Sequence, residues 1–598
     1  MHERRFLLSL AISTTPLFGG CQQPAGDDDG TATTGVASSS DDSGSQTTTT
    51  SVTPAEPLTT DGSSTSTATG TDTTGDAGAT EASPEPAECE PGAQEDCAYS
   101  GPSGTAKVGA CRPAVRTCDD IGRWGACRGE VLPRVEDCRT AYDEDCDGQV
   151  VCLGEPVWAR DFGEPVGAAP GSAHAWAVTV DGAGQVWFAG KFASLQIGDH
   201  AWEHDNDFSL FFAQLDGHGE AGFAFADLDY GAAGSGEVLA AGPDGRIALG
   251  AINVGRLRVA AQAPSYVTGD ADKGAIVGVF GPSGSYQWDR GMMPIGTGDL
   301  VIEALRFDGA GNLWAAGSFH GDSDIGTPGS PQILHNVGDS DALLIKMGPD
   351  GALEWVRTYG DQDMQEIHGM AVDAGGNIWL AGGFEGQMAF DGGALTAETN
   401  PGEGADMFVV KLDGAGKWQW GRVYGDEKMQ VFTDLELDPS GNAVVLGRYN
   451  GTVHNLGVSS MTGEHRTVVK FAPDGDVRWA AHWPSDVYSE LTSLAVDGAG
   501  QVVVAGRVAA NAGAMTIAGQ AVAAGKTDLG VLIKLDREGV PIWPARTHDA
   551  LFTVAAGPLG EIYMAGGFVG KFTLGADETF VLDTKDDGHD AFVARLRP

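Results

Sequence analysis

A tight-turn glycine returns seven times in the C-terminal three-quarters of this chain, at Gly184, Gly245, Gly311, Gly376, Gly441, Gly500 and Gly560. The spacing of about 60 to 66 residues marks one repeated supersecondary unit. Such a unit buries its apolar face only by stacking on copies of itself. The first half is clearest in Ala371-Val372-Asp373-Ala374-Gly375-Gly376-Asn377-Ile378-Trp379, in Arg306-Phe307-Asp308-Gly309-Ala310-Gly311-Asn312-Leu313-Trp314 and in Val496-Asp497-Gly498-Ala499-Gly500-Gln501-Val502. The second half reads Phe408-Val409-Val410-Lys411-Leu412-Asp413 and leads to Trp420; Lys346 before Trp355, Lys470 before Trp479 and Lys534 before Trp543 repeat it. Each unit is strand, tight turn, strand, long loop, strand, tight turn, strand. Asp at the head of a turn accepts its amide hydrogens and Gly supplies the positive φ, so Asp181, Asp308, Asp373, Asp438 and Asp497 read as turn residues rather than catalytic acids.

Four antiparallel strands repeated radially make a propeller blade. The last copy stops after its third strand, Ala591-Phe592-Val593-Ala594-Arg595-Leu596. A piece resembling the missing fourth strand lies before the first copy, Trp158-Ala159-Arg160-Asp161-Phe162-Gly163. Joining the two removes two open sheet edges. The expectation is therefore an all-β, seven-bladed β-propeller over residues 155–598, closed by an N-terminal strand. The Val-Asp-x-x-Gly-Asn-x-Trp and Asp-x-Phe-Val-x-Lys-Leu-Asp patterns resemble the SBBP repeat of bacterial extracellular proteins, over about 440 residues. That resemblance implies the fold and an exported location, and no particular activity.

Eight cysteines crowd into residues 87–153: Cys89, Cys97, Cys111, Cys118, Cys127, Cys138, Cys146 and Cys152. An even number in a short exported segment predicts a disulfide-rich module with four bridges of open connectivity. Inside it, Asp143, Asp145 and Asp147 alternate ahead of Gly148, as carboxylates do at the start of a calcium loop, but the twelfth position is Gly154 and not Glu. The segment resembles the cysteine-rich, MopE-type metal-binding motif of some bacterial surface proteins. Oxygen ligands put calcium ahead of copper.

Residues 1–20 read as a signal peptide: Arg4 and Arg5, then a short apolar run. Gly19-Gly20-Cys21 resembles a lipobox, which makes Cys21 the lipidation site and the membrane a partner through that lipid; Gln22 favours the outer membrane or cell surface. Residues 21–86 are Ser, Thr, Gly and Asp with almost no large apolar side chains, so they read as a disordered tether. A net charge of −47 opposes binding to nucleic acid. A monomer is expected.

Two sets of candidate site residues follow from the repeat. Five residues before each turn Asp or its equivalent stand Trp176, Glu237, Glu303, His368, Thr433, Thr492 and Phe552, on the strand that lines the channel. Glu237, Glu303 and His368 are the candidates for a channel site. An Asp recurs where the third strand begins, at Asp207, Asp341, Asp406, Asp528 and Asp590, with His465 in its place once. These read as an acidic ring for cations, or as strand caps and partners for Lys346, Lys411, Lys534 and Arg595. Trp187, Trp314, Trp379, Trp355 and Trp420 read as blade-packing residues. The long second-to-third-strand loops, such as those from Phe319 to Asp341 and from Phe384 to Asp406, form the candidate binding face. No nucleophile elbow, zinc-protease helix or phosphate loop appears. The sequence thus points to a non-catalytic binding or adhesion scaffold for a protein or glycan. The alternatives are metal binding by the cysteine-rich module, or a propeller hydrolase or lyase acting on an extracellular polymer.

Overall fold

The computed structural model describes residues 88–598 apart from 103–104, 134–145, 147–153, 155, 164–171, 205–207, 229–231, 270–271, 328, 399–403, 427, 454–455, 457–460, 485–488, 510–513, 518–519, 524–528, 549, 575–579 and 585–587. All regular elements among them are strands. Cys21, Asp143, Asp145, Asp147, Cys138, Cys152, Asp207 and Asp528 lie outside the described residues.

The repeats fold as up-and-down sheets. The fourth unit shows why. Its second and third strands, Ile378–Phe384 and Asp406–Leu412, are buried along their whole length, so the second reads as an unbroken apolar run and the third as one from Met407 to Val410, flanked by the buried Asp406 and Lys411. Its first strand, Gln365–Val372, and its last, Trp418–Tyr424, are only partly buried. One apolar cluster joins Trp314 and Leu344 of the third unit to Ile367, Leu380 and Phe408 of the fourth. Neither unit could cover that surface alone. First strands neighbour one another around the whole ring, and Ala550–Ala556 of the last unit lies beside Ala173–Val180 of the first.

The N-terminal strand Pro156–Phe162 pairs antiparallel with Asp590–Leu596, placing Trp158 opposite Arg595 and Phe162 opposite Ala591. The last sheet is completed as the sequence predicts. The count of blades differs from expectation. The described residues form six separate four-stranded blades, not seven. The second unit's strands, Ala232–Ala241, Ile247–Leu257, Gly274–Phe280 and Tyr286–Pro294, belong instead to a seven-stranded sheet. Its outer edge is extended because Ser323–Asp324, from a loop of the third unit, pairs with Met293 and Pro294.

The turns behave as read. Oδ1 of Asp373 accepts the amides of Gly375 and Asn377 at 2.9 and 2.8 Å, and Gly376 has φ 77°. Asp308 and Asp181 do the same, and each also accepts the indole N–H of its own second-strand tryptophan, Trp314 or Trp187, at 3.2 Å. Trp187, Trp314 and Trp379 are fully buried packing residues. Four fourth-strand tryptophans tie their unit to the next. Trp158, Trp288, Trp420 and Trp479 donate to the carbonyls of Gly217, Pro349, Pro473 and Arg537 at 2.8–3.0 Å. The third-strand cations pair differently from expectation. Lys411 and Lys470 bind the turn residues Asp373 and Asp438, at 3.1 and 2.6 Å. Lys346 binds Glu354 and Arg595 binds Glu561. Each cation is the next-to-last residue of its strand and so sits beside a turn of its own sheet, whereas the start-position acid is five residues away.

Parts of the long loops are packed rather than free. Several hold a hairpin that packs on the outer strands of its own sheet and of the preceding one. Gln387–Phe390 and Gly393–Thr396 are the example: the Phe390 ring lies 4.4 Å from Tyr359 of the third unit and 5.4 Å from Trp418 of the fourth. These hairpins cover sheet edges and seams, which is the reason the loops are long.

In the cysteine-rich segment, Gln94–Asp96 pairs with Val115–Thr117. Three disulfides stand among the described residues: Cys89–Cys118, Cys97–Cys127 and Cys111–Cys146. Cys146 is thus bridged, as expected.

Candidate functional site at the channel mouth

The channel-lining residues singled out by spacing share a backbone feature that spacing does not reveal. In six units the first strand slips register by one residue, between Ala175 and Ala177, Gly236 and Val238, Ile302 and Ala304, Ile367 and Gly369, Phe432 and Asp434, and Leu491 and Ser493. The extra residues are Trp176, Glu237, Glu303, His368, Thr433 and Thr492. A β-bulge leaves its extra residue unpaired and re-aims the side chain. Phe552 pairs regularly with Gly566, so the seventh unit has no bulge there.

The bulge is written into the second strand as a glycine. A Cβ on Gly190, Gly317, Gly382 or Gly506 would sit 1.8–2.0 Å from the carbonyl oxygen of His174, Val301, Glu366 or Glu490. Only glycine lets the displaced carbonyl approach so closely. The recurring Ala-Gly of the second strand, as in Ala316-Gly317 and Ala381-Gly382, was the signal from which the bulges could have been found.

The extra residue is the fourth of eight in Ala173–Val180, Gln365–Val372, Gln430–Leu437 and Ser489–Val496, so the bulges line the channel at mid-strand. There His368 stands between two carboxylates, with Nδ1 3.3 Å from Glu303 and Nε2 3.5 Å from Glu366. Burial opposes its charged form. The two carboxylates outweigh that and hold its pKa up at about 10, so it is an imidazolium at neutral pH. Glu237 accepts a hydrogen bond from Ser235. Burial raises its pKa, and Glu303 adds to the rise while Lys191 and Lys273 oppose it. Glu303 and His368 are therefore in contact, and Glu237 is coupled to Glu303 through the field rather than by a hydrogen bond. Around Trp176, the His174 ring stacks at 5.1 Å with planes 9° apart, and the Lys191 ammonium lies 5.6 Å from the indole and 4.6 Å from the Phe208 ring.

Deeper in the channel a second polar group was not anticipated. Arg306 of the third unit reaches past the fourth to Glu436 of the fifth, and donates to the Leu435 carbonyl at 3.3 Å. The fourth unit offers only Gly369 and Ala371 at these levels, which leaves room for the guanidinium. Asp434 accepts the Leu494 amide of the sixth unit at 2.8 Å. Ser493 contacts Thr553 of the seventh, 3.1 Å between hydroxyl oxygens. Burial pushes Glu436 up to about 7 despite Arg306, and raises Asp434 as well.

The strand-start carboxylates take a different place. Asp341, Asp406 and Asp590 are buried. Asp341 accepts the Val337 amide at 3.1 Å and Asp406 the Glu398 amide at 2.6 Å. A Cβ on Gly360, Gly425 or Gly163 would lie 2.2 Å from their Oδ1 atoms. They cap the strand against the glycine that ends the outer strand. Just before them, the carbonyls of Ser340, Ala405 and His589 accept the first-strand amides of Gln365, Gln430 and Ala173 in the next unit, at 2.7–2.8 Å. Sequence reading also missed Asp361 and Asp426, whose carboxylates bind Gln365 and Gln430 at 2.7 Å at the seams. Among the described residues, no three His, Cys, Asp or Glu side chains are grouped so as to hold a metal ion.

No family model matches the chain, and no curated protein matches it. Several solved structures are similar at low identity. A protein of unknown function from Bacteroides caccae is 9% identical, over 56% of this chain and 89% of its own, with a TM-score of 0.27. A PL25 ulvan lyase is 10% identical, over 72% and 97%, with a TM-score of 0.35. A puromycin hydrolase is 13% identical, over 67% of this chain but only 59% of its own, with a TM-score of 0.31. None of these bears on the chemistry of this chain.

Proposed function

We propose that this is an exported protein, held at the outer membrane or cell surface through lipid on Cys21, whose propeller is a non-catalytic binding or adhesion scaffold. Its ligand, a protein or glycan, docks at the bulge-lined mouth of the channel. We read the ring as seven-bladed, with the second unit as the blade whose outer edge is extended by the third unit's loop. The observation that supports docking at the mouth is the constancy of backbone against side chain. One bulge recurs six times, yet it carries Trp, Glu, Glu, His, Thr and Thr. A feature kept only for folding would not need six mouths' worth of different chemistry on one rigid frame. The test is retention of protein-coated beads on arrayed extracellular proteins and glycans. Retention should fall at least tenfold in Glu303→Gln with His368→Gln, and no ligand should be converted to product.

A hydrolase or lyase is the second reading, favoured by the Glu303–His368 contact and by the raised pKa of Glu237. A His368 held in its protonated form argues against it as a general base, since a base must be deprotonated at working pH. Product release abolished by Glu303→Gln would establish this reading in place of the first. Metal binding at Asp143, Asp145 and Asp147, calcium ahead of copper, is the third. Stoichiometric metal lost on changing these three to Asn would support it.

A further inference from the structure

Among the described residues, Lys191, Lys346, Lys411 and Lys470 each lie over an aromatic ring. The last three also hold a carboxylate: Glu354 at 2.7 Å, Asp373 at 3.1 Å and Asp438 at 2.6 Å. Lys191 holds no carboxylate within ion-pair distance. It has two ring faces instead, Trp176 at 5.6 Å and Phe208 at 4.6 Å. A ring face attracts an ammonium, but less than a carboxylate in contact does. Lys191 is the next-to-last residue of Val186–Phe192 and is half-buried. The Phe208 carbonyl accepts the Gly234 amide of the second unit at 3.2 Å, so this cage stands at the seam of the first two units. The titratable groups that face the amine are His174, opposite it in the ladder, and Glu237 of the second unit. Burial and then His589 hold His174 down at about 3, so it is neutral. Burial lowers the pKa of Lys191, and the field of Glu237 opposes the fall. A lysine that loses water without gaining a carboxylate carries more free amine at neutral pH, and the free amine is the nucleophile. Phe208 is 39% exposed, so it offers an incoming molecule an apolar wall beside the nitrogen. The net charge of −47 disfavours an anionic one.

We propose that Lys191 is a covalent capture site for uncharged aldehydes with an aromatic or apolar body. The nitrogen lone pair attacks the carbonyl carbon, and a C–N bond forms. The two amine hydrogens pass to the oxygen, the C–O bond breaks, and water leaves. The product is an imine, and neither partner is oxidised or reduced. Water added back returns the amine and the aldehyde. With its body on Phe208, the captured molecule shields the C=N bond from that water. Capture at Lys191 does not depend on docking in the channel. The test treats full-length protein with benzaldehyde and, separately, with formaldehyde, each with sodium cyanoborohydride to trap the imine, across a range of pH. Alkylation of each lysine is followed by peptide mass spectrometry. With benzaldehyde at neutral pH, Lys191 should react at least tenfold faster than the exposed Lys417 and Lys428, and the advantage should shrink as alkaline pH frees every amine. Phe208→Ala should remove the advantage with benzaldehyde and keep it with formaldehyde, which has no body to seat. Equal rates at Lys191, Lys417 and Lys428 would overturn the capture site. An advantage that is the same at every pH would overturn the free amine as its cause. A benzaldehyde advantage that survives Phe208→Ala would overturn the aromatic seat and the ligand class with it.

Discussion

The turn that ends the first strand and the bulge in its middle obey opposite rules. At the turn end, the side chain is nearly constant because it serves the backbone: Asp181, Asp308, Asp373, Asp438 and Asp497 each accept two turn amides. At the bulge the backbone is constant and the side chain changes, from Trp176 through Glu303 and His368 to Thr492. The contrast teaches where to look for function in a repeat protein. Positions that repeat in residue type are holding the fold. Positions that repeat in geometry while varying in chemistry are free to serve something else.

That contrast can be broken at several points. Trp379→Ala at the packed centre should be the most damaging change, costing about 3–5 kcal/mol as a large cavity opens, measured by denaturant unfolding. If it cost less than Glu303→Gln, the division between holding and presenting residues would be lost. Gly382→Ala comes next, at about 1–3 kcal/mol, because its Cβ would strike the Glu366 carbonyl and force the bulge out. Its distinctive sign would be a loss of mouth binding together with stability. Asp373→Ala should cost about 1–2 kcal/mol, from two turn amides and Lys411 left without their acceptor, and binding at the mouth should be unchanged.

The smallest effect is in pH dependence, and the two kinds of histidine should differ in sign. His368 is held above its unfolded value, so its contribution is fully present below about pH 6.5 and is lost as pH rises toward 10. His482 is depressed to about 4 by burial and by His465, so the native state binds fewer protons than the unfolded one. Its contribution is lost as pH falls from about 6.5 toward 4. Melting curves of His368→Gln should be flatter on the alkaline side, and those of His482→Gln flatter on the acid side. A change on the same side in both would contradict the buried geometry assigned to them.

Much of the frame was legible because its chemistry is local. A turn needs Asp and Gly at fixed offsets, and a doubly covered strand needs an unbroken apolar run, so Asp373, Gly376 and Ile378–Phe384 declare themselves. The closing strand was legible for the same reason, as an orphan copy of a repeated pattern. The mouth was legible only in register. Five residues before the turn gave the right positions, but not the bulge, which adds one residue without changing the length of the unit. What remained hidden depends on contacts between units. The Arg306–Glu436 reach depends on a glycine and an alanine in the unit it passes, Gly369 and Ala371. The merging of the second sheet depends on where a loop of the third unit lands. The hairpins over the seams turn what reads as a variable, exposed loop into packing.

The pairing of Pro156–Phe162 with Asp590–Leu596 also fixes an order of events. A chain is made from its N-terminus, so the first strand of the ring to appear is the last that can be seated. Until residue 596 arrives, every sheet already formed belongs to an open arc with two sticky ends, and the earliest strand has no partner. Closure over so long a stretch of sequence is slow by nature. The waiting arc is the species most exposed to pairing with a neighbour. The circle stays unfinished, with its first strand unclasped, until the last strand is in hand.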